Sequence, residues 1–173
     1  DTLFLMNFEG SVQPDYARGS RSVVLRGGEI VQRGGRFGDG LLLRSGGSLE
    51  LVGNDGNINP TDGTIAFWIK PSWPGNDAAK YSLFSAHVSD QEYININTLG
   101  AGKLGIALAA GKDNDFRWRR ADGDASSWKP NAWRHVAFAW GDGTLSVFFD
   151  GQQTGQSVTD SHTLSGLPER LVF

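Results

Sequence analysis

Three tryptophans of this chain lie in segments where an indole ring can meet a ligand. Trp73 lies in Ser-Trp-Pro-Gly and Trp128 in Ser-Ser-Trp-Lys-Pro, and the proline in each segment interrupts regular structure. Trp118 lies in Phe-Arg-Trp-Arg-Arg, where aromatic and basic residues alternate. Indole rings stack on the C–H faces of sugars while polar groups bond the sugar hydroxyls. These three positions therefore predict carbohydrate binding.

Two arginines flank Trp118 and extend this prediction. On a strand, Phe116 and Trp118 share one face, while Arg117 and Arg119 share the other. If the aromatic pair is buried, the arginines are exposed. Because guanidinium groups bind carboxylates and sulfates bidentately, an acidic sugar is one candidate ligand. The alternative is a solvated edge strand whose arginines neutralise nearby aspartates.

The chain carries no recognisable catalytic constellation. A glycosidase needs two carboxylates roughly 5–10 Å apart. The segment that begins at Glu92 has one acid, and Tyr93, Asn95 and Asn97 share its opposite face, which is a hydrogen-bonding face. The three histidines of the chain follow no metal-binding or nucleophile motif. We therefore predict a chain that is not an enzyme, with a divergent glycoside hydrolase as the weaker alternative.

Calcium is the metal that the sequence favours, because it binds loop carboxylates, amide oxygens and carbonyls. Asp113 and Asp115 form one candidate pair, and Glu9 and Asp15, near the end of the first predicted strand, form another. Two further clusters of Asn, Asp and Gly lie at 54–57 and 122–124. The EF-hand spacing is absent. The alternative for each cluster is that Asn, Asp and Gly are there as turn formers.

The composition indicates which kind of scaffold positions these residues. A length of 173 residues suits one domain, so we predict a single domain over 1–173. The 24 glycines are aperiodic and interleaved with apolar runs, which favours many short strands joined by turns. A net charge of -3 with dispersed Lys and Arg argues against nucleic-acid binding. No apolar run reaches the roughly 20 residues of a membrane span, so no membrane insertion is expected.

Alternation with a period of two predicts about a dozen short strands and almost no helix. The clearest element is a hairpin over Trp133–Gly151, with Val136, Phe138 and Trp140 on one face and a Gly-Asp-Gly turn. The other predicted strands are Thr2–Glu9, short hairpins around Gly27-Gly28 and around Gly46-Gly47, Thr64–Lys70, a meander of Tyr81–Val88, Glu92–Thr98 and Lys103–Ala109, Phe116–Arg119, and Leu171–Phe173. Residues 154–167 are predicted as a turn-rich connection. The fold class is all-β, an antiparallel β-sandwich of two sheets or jelly roll.

Four segments, in order, resemble the laminin-G-like jelly-roll group of the concanavalin A-like lectin/glucanase superfamily. They are Leu3–Gly10, Gly35–Leu51, Gly63–Pro71 and the hairpin Trp133–Gly151. The resemblance implies a concanavalin A-like sandwich that binds glycans or proteins, and it favours one structural calcium ion. Domains of this group continue with a further strand beside the first one. We therefore expect that the final strand is missing here or is supplied by flanking sequence.

The predicted function is that of a non-catalytic, lectin-like module excised from a larger bacterial protein, secreted or on the cell surface. Its partner is a glycan or polysaccharide. The alternative is a structural or adhesion module that packs on a neighbouring domain or protein. The predicted ligand-binding residues are Trp73, Trp118, Trp128, Arg117 and Arg119, and the predicted calcium ligands are Glu9, Asp15, Asp113 and Asp115.

Overall fold

The computed structural model describes residues 1–53, 56–158 and 162–173. The described residues form antiparallel strands and, at Asp113–Asp115, one 3-10 turn. The strands are β1 (Phe4–Leu5), β2 (Tyr16–Ala17), β3 (Ser22–Val31), β4 (Gly40–Val52), β5 (Gly63–Ile69), β6 (Ser82–His87), β7 (Tyr93–Gly100), β8 (Lys103–Ala110), β9 (Arg117–Asp124), β10 (Arg134–Gly141), β11 (Thr144–Phe149), β12 (Gln152–Val158) and β13 (Arg170–Val172). Within the described ranges, no helix has the length and apolar character that crossing a membrane requires.

The chain folds into two compact units, which are described in turn. Unit 1 comprises Asp1–Asn59 and Leu167–Phe173, and unit 2 comprises Pro60–Gly166. In unit 1, β4 lies between β3 and β13 and pairs antiparallel with both. Strands β1 and β2 form a separate two-stranded ribbon. The prediction of a single domain over 1–173 stays a prediction.

Strands β3 and β4 replace the two short hairpins that were predicted here. Each strand runs straight through its Gly-Gly pair, and the two strands pair with each other. The register shifts between Arg26 and Gly28, where Gly27 forms a bulge with φ +56°. A Cβ on Gly27 would lie 3.1 Å from the Cα of Gly47. The glycines therefore permit a close approach of two backbones rather than two turns.

The first strand is much shorter than the predicted Thr2–Glu9. Strand β1 covers only Phe4–Leu5, and it pairs with β2. The chain leaves the extended conformation after β1, because Phe8 has φ +62°. The amide of Asn7 donates to Asp15 Oδ2 (2.7 Å) rather than to a neighbouring strand. A local side-chain hydrogen bond thus competes with strand pairing at this point.

The last predicted strand, Leu171–Phe173, is confirmed. Strand β13 pairs with β4, and Phe173 continues the ladder by exchanging two 2.9 Å hydrogen bonds with Leu49. Leu171 is buried. The apolar end of the chain is thus an ordered strand in the sheet of unit 1.

Unit 2 is a two-layer sandwich with its core between the layers. One sheet has the strand order β6-β7-β8-β9, and the other has the order β12-β11-β10-β5. Apolar side chains of both sheets form the core, and Val136, Phe138 and Trp140, which were predicted to share one face, are all buried. Strands β10 and β11 meet at Asp142-Gly143, both with positive φ (48° and 66°). The hairpin that was predicted over Trp133–Gly151 is therefore confirmed, with the turn chemistry expected of an Asp-Gly pair.

Strand β12 corrects the prediction of a turn-rich connection over 154–167. Residues Gln152–Val158 pair with β11 after a second Asp-Gly turn, at Asp150-Gly151. Three of its seven residues are Gln, and it has no alternation of apolar and polar residues, so the strand period of two was not visible in the sequence. The turn that precedes it was the available signal.

Candidate functional site

The sheet β6–β9 has two chemically different faces. Its inner face supplies buried Phe84, Ile94, Ile96, Ile106 and Leu108 to the core. Its outward face, here called the polar face, follows from the strand registers and the alternation of side chains. The polar face consists of Ser85, His87, Tyr93, Asn95, Asn97, Lys103, Gly105, Ala107, Ala109, Trp118, Arg120, Asp122 and Asp124.

An aromatic row crosses one end of the polar face. Ala109 on β8 lies opposite Tyr93 on β7 and Trp118 on β9. Ala109 is fully buried, whereas Trp118 is 49% exposed. Neighbouring strands lie about 4.8 Å apart, so the backbones of Tyr93 and Trp118 are about 10 Å apart across the alanine. The His87 ring stacks on Tyr93 with centroids 5.1 Å apart. This row offers aromatic surface to the C–H face of a ligand.

Two polar rows continue from the aromatic row along the same face. In the first row, Ala107 lies between Asn95 and Arg120, and His87 Nε2 lies 3.1 Å from Asn95 Oδ1. In the second row, Gly105 lies between Asn97 and Asp122. In these two rows, the middle strand β8 thus presents only small residues, flanked by longer polar side chains on both sides.

Arg120 connects the two polar rows. Its Nε donates to Asp122 Oδ1 (2.7 Å) and its Nη1 donates to Asn97 Oδ1 (2.6 Å). Its Nη2 donates to the Asn97 backbone carbonyl (2.9 Å). The Arg120 side chain is only 5% exposed, whereas that of Asp122 is 26% exposed. The guanidinium therefore holds the amide of Asn97 and the carboxylate of Asp122 in fixed positions.

The structure reverses the predicted orientation of the strand at Trp118. Trp118 is exposed, and Arg117 and Arg119 lie on the opposite side of β9 from it. Arg117 forms an ion pair with Asp115, with a 3.4 Å distance between Nη2 and Oδ1. Arg119 Nη1 donates to the backbone carbonyl of Trp118. The arrangement of buried aromatics and outward arginines was therefore wrong, and Arg120 is the arginine that shares the face of Trp118.

Trp128 was predicted in an exposed loop, and this prediction was wrong. The residue is only 6% exposed, and its ring packs edge-on against Phe149 at 4.8 Å. The Trp128 carbonyl accepts from the Gly75 amide, and the Arg134 guanidinium lies 5.8 Å from the ring centroid. The loop folds back onto the sandwich, since burying an indole stabilises the fold more than exposing it. Trp128 therefore has no face left for a ligand.

Trp73 lies in the loop that precedes β6, where its ring stacks on that of Tyr81; this pair is here called the loop stack. The half-buried ring of Trp73 is parallel to that of Tyr81, with an interplanar angle of 6° and centroids 4.9 Å apart. The Tyr81 hydroxyl donates to Asp77 Oδ2 (2.8 Å), and this bond raises the pKa of Tyr81. The Ala79 amide and then the Tyr81 hydroxyl lower the pKa of Asp77. Trp73 is thus held in a fixed orientation, partly accessible to solvent.

The predicted calcium ligands are distributed over separate places. Glu9 Oε1 accepts from the Asp39 amide, and Asp15 Oδ2 accepts from the Asn7 amide. Asp113 and Asp115 lie in the 3-10 turn, where Asp115 also contacts His162 Nε2 at 3.1 Å. Among the described residues, no three His, Cys, Asp or Glu side chains come together as a metal site. The cluster at 122–124 is part of β9 rather than a turn, and Asn54 and Asp55 of the remaining cluster lie outside the described residues.

Several members of the polar face were not predicted as site residues. Asn95, Asn97 and Tyr93 were recognised as a hydrogen-bonding face, but Arg120 and Asp122 were not joined to it. The available signal was the alternation from Trp118, which places Arg120 and Asp122 on its side of the strand. The pairing of β9 with β8 and β7 joins them, and that pairing is not visible in a single sequence.

The family model Laminin_G_3, described as the concanavalin A-like lectin/glucanases superfamily, matches residues 43–170. The chain belongs to this family. The predicted laminin-G-like fold and its antiparallel jelly-roll class are therefore confirmed. No curated protein sequence matches this laminin-G-like chain.

Solved structures resemble this laminin-G-like chain in fold. One is domain 4 of AbnA, a GH43 extracellular arabinanase from Geobacillus stearothermophilus, in complex with arabinotriose. It has a TM-score of 0.72 and 15% identity, over 99% of this chain and 82% of that one. Another is the binding domain of botulinum neurotoxin DC in complex with SialylT, with a TM-score of 0.70 and 16% identity, over 99% and 43% of the two chains. Mouse laminin alpha1 domains LG4-5 match with a TM-score of 0.54 and 16% identity, over 73% and 31%.

The likeness to these structures concerns the fold, because the sequence identities are low. The laminin-G-like chain spans less than half the length of the toxin binding domains that it matches. Function depends on the residues placed on a fold rather than on the fold itself. The polar face is therefore the part of this molecule from which function is argued.

Proposed function

We propose that the chain is a non-catalytic carbohydrate-binding module of an extracellular or cell-surface protein. The observation that carries this proposal is the polar face, where exposed Trp118 and half-buried Tyr93 flank a buried alanine next to amide and carboxylate groups. Aromatic surface beside fixed hydrogen-bonding groups is what sugar recognition requires. The laminin-G-like family and an arabinanase domain solved with arabinotriose support the same function.

The surroundings of two acids on the polar face support the proposal that the module is non-catalytic. Asp122 and Asp124 are two residues apart on β9, about 7 Å along the strand, which is close to a glycosidase spacing. A glycosidase needs one carboxyl with a raised pKa as general acid. The side chain and the backbone amide of Ser126 instead lower the pKa of Asp124. Asp122 is bonded to the Arg120 guanidinium. Asp124 therefore lacks the raised pKa of a general acid, and Asp122 is held in an ion pair.

The test of this proposal uses two exposed tryptophans. Trp118 lies on the polar face, whereas Trp68 is 40% exposed on the other sheet and serves as the matched control. We expect Trp118→Ala to weaken binding to polysaccharide at least tenfold, and Trp68→Ala to leave it within about twofold. The dissociation constants are measured by titration calorimetry against polysaccharides that retard the wild-type chain in affinity gels. Equal loss in both variants, or no loss in Trp118→Ala, contradicts the proposal.

Trp73 remains part of the proposed ligand surface as a separate aromatic platform. Its ring is held by Tyr81, and Asp77 fixes the tyrosine. A Trp73→Ala variant is expected to weaken binding less than Trp118→Ala, because Tyr81 covers one face of the Trp73 ring. If Trp73→Ala alone abolishes binding, the loop stack rather than the polar face is the site.

A second function is favoured by the outward face of the sheet β12-β11-β10-β5. Its strand positions carry no Asp, Glu, Lys or Arg side chain, and it is here called the uncharged face. The uncharged face consists of Thr64, Ala66, Trp68, His135, Ala137, Ala139, Thr144, Ser146, Phe148, Gln153, Gln156 and Val158. Such a surface suits packing on a neighbouring domain or protein. In the full-length protein, Ala137→Arg would then lower the melting temperature more than it does in the isolated chain.

A structural calcium ion remains a separate proposal. Glu9 and Asp39 lie together in unit 1, where Asp39 Oδ2 accepts from the Gly10 amide and Glu9 Oε1 accepts from the Asp39 amide. Carboxylate oxygens are ligands that calcium prefers. If calcium binds the folded chain, the melting temperature rises with added calcium and falls with EDTA. A melting temperature unaffected by either contradicts the proposal.

A further inference from the structure

We propose that the polar face selects neutral glycans and rejects acidic ones. This inference rests on the carbohydrate-binding function proposed above and names its substrate class. It departs from the acidic sugar that Arg117 and Arg119 had indicated, because both arginines lie on the opposite side of β9 from Trp118. The class of ligand then depends on the charges that remain on the polar face itself.

The only guanidinium among the polar-face residues is already engaged. Arg120 uses Nε, Nη1 and Nη2 to bind Asp122 Oδ1, Asn97 Oδ1 and the Asn97 carbonyl. With a side chain 5% exposed, it cannot turn its fork to a ligand without breaking these bonds. A carboxylate or sulfate would need such a fork for bidentate binding. Arg120 therefore acts as a positioning residue for Asn97 and Asp122 rather than as an anion receptor.

The ends of the two amides are fixed by their partners. A guanidinium only donates, so Asn97 must turn Oδ1 toward Arg120, which leaves Nδ2 as the end that faces a ligand. Asn95 Oδ1 lies 3.1 Å from His87 Nε2, and when that nitrogen carries the proton the Nδ2 of Asn95 takes the same role. In that tautomer, two neutral N–H donors lie on β7, one row apart.

Asp122 supplies the acceptor. One of its oxygens binds Arg120, and its side chain remains 26% exposed. A sugar hydroxyl both donates and accepts, so it can bond an amide N–H and a carboxylate oxygen at once. An acidic sugar would instead bring a second negative charge to Asp122, and like charges in a partly desolvated site repel. Amide donors beside a carboxylate acceptor therefore fit neutral hydroxyls and oppose uronates, sialic acids and sulfated sugars.

The aromatic row agrees with this class of ligand. Trp118 and Tyr93 present rings to the C–H surface of a sugar, and neither ring contributes a charge. At the opposite end of the face, Lys103 on β8 lies in register with Asp124 on β9, whose pKa is lowered mainly by hydrogen bonds from Ser126 and least by the Lys103 charge. Because a neutral sugar brings no charge to the face, its binding should depend little on ionic strength.

The experiment compares two sets of glycans on the wild-type chain. The neutral set is arabinan, galactan, xylan and mannan, and the acidic set is polygalacturonate, alginate, heparan sulfate and sialyllactose. We expect at least one neutral glycan to bind at least tenfold more tightly than every acidic one. Its dissociation constant should change less than about twofold between 20 and 500 mM NaCl. Tighter binding of an acidic glycan, with affinity lost in high salt, overturns the inference.

A variant that lacks the Asp122 charge tests the neutral ligand class separately. Asp122→Asn removes the repulsive carboxylate, so binding to the acidic set should rise about tenfold or more relative to the neutral set. Asp142→Asn makes the same change in charge at the tip of the β10–β11 hairpin and should leave the ratio unchanged. An unchanged ratio in folded Asp122→Asn protein contradicts the inference.

The failure of the inference and the failure of the proposed function are distinguishable. If the wild-type chain binds acidic glycans and Trp118→Ala abolishes that binding, the polar face is the site and the neutral class is wrong. If the wild-type chain binds neither set, the carbohydrate-binding function is wrong, and the neutral class is rejected with it.

Discussion

The two faces of the sheet β6–β9 carry opposite chemistry at consecutive residues. Ile96 is fully buried in the core, whereas its neighbours Asn95 and Asn97 are half-buried on the polar face. Both faces are built by the same backbone hydrogen bonds, so the difference lies only in the side chains. Because side chains alternate along each strand, the residues that stabilise the sheet lie on one face and the residues available for recognition lie on the other. Substitutions on one face should therefore change one property and spare the other.

The largest expected difference is between Ile96→Ala and Asn95→Ala. Ile96→Ala leaves a cavity in the core and should lower the free energy of unfolding by about 2–5 kcal/mol. Asn95→Ala removes one exposed hydrogen bond and should cost less than about 1.5 kcal/mol. Urea unfolding with linear extrapolation measures both values. Similar losses in the two variants would show that the faces are not separate in the way described.

A smaller loss of stability is expected from a substitution next to Arg120, where the polar face is buried. Arg120 is almost fully buried, and Asn97 Oδ1 accepts one of its hydrogen bonds. Asn97→Ala leaves a buried donor without this partner and should cost about 1–3 kcal/mol of unfolding free energy. Gln153→Ala on the uncharged face serves as the control, with a cost of about 0.5 kcal/mol or less. A neutral Asn97→Ala variant would mean that the network around Arg120 does not contribute to stability.

The smallest expected effect is the pH dependence at the Asp124 end of the sheet. Hydrogen bonds from the side chain and amide of Ser126 lower the pKa of Asp124 in the folded chain. The resulting stabilisation is present above the unfolded pKa of about 3.9 and is lost as the pH falls through the folded pKa. The melting temperature of Asp124→Asn should therefore fall less than that of the wild type between pH 5 and pH 2.5. A Ser126→Ala variant should lie between the two, and three parallel curves would contradict this prediction.

Much of the sandwich could be predicted from the sequence, because its strands have a strict period of two. The hairpin over Trp133–Gly151 was predicted with its turn and with Val136, Phe138 and Trp140 on one face. Strand β12 was missed because Gln152–Val158 has no apolar alternation. Strands β3 and β4 were divided at Gly-Gly pairs, since a turn and a bulge share the same residue type.

The candidate site was only partly predictable, for a physical reason. Trp73 and Trp128 were both selected because they lie in Pro-containing loops, yet Trp73 is half-buried whereas Trp128 is buried against Phe149. Loop composition does not reveal whether a loop folds back onto the core. Arg120 and Asp122 become neighbours of Asn97 only through the pairing of three strands, which are separated in sequence by turns.

Strand β8 gives the polar face a floor of small residues. Its outward residues Gly105, Ala107 and Ala109 alternate with the core residues Leu104, Ile106 and Leu108. A Cβ on Gly105 would lie 2.0 Å from the carbonyl oxygen of Ala121, so the fold leaves no room for a side chain at this position. The depth that the polar face offers to a ligand at Gly105 is therefore set by the close packing of the β8 and β9 backbones.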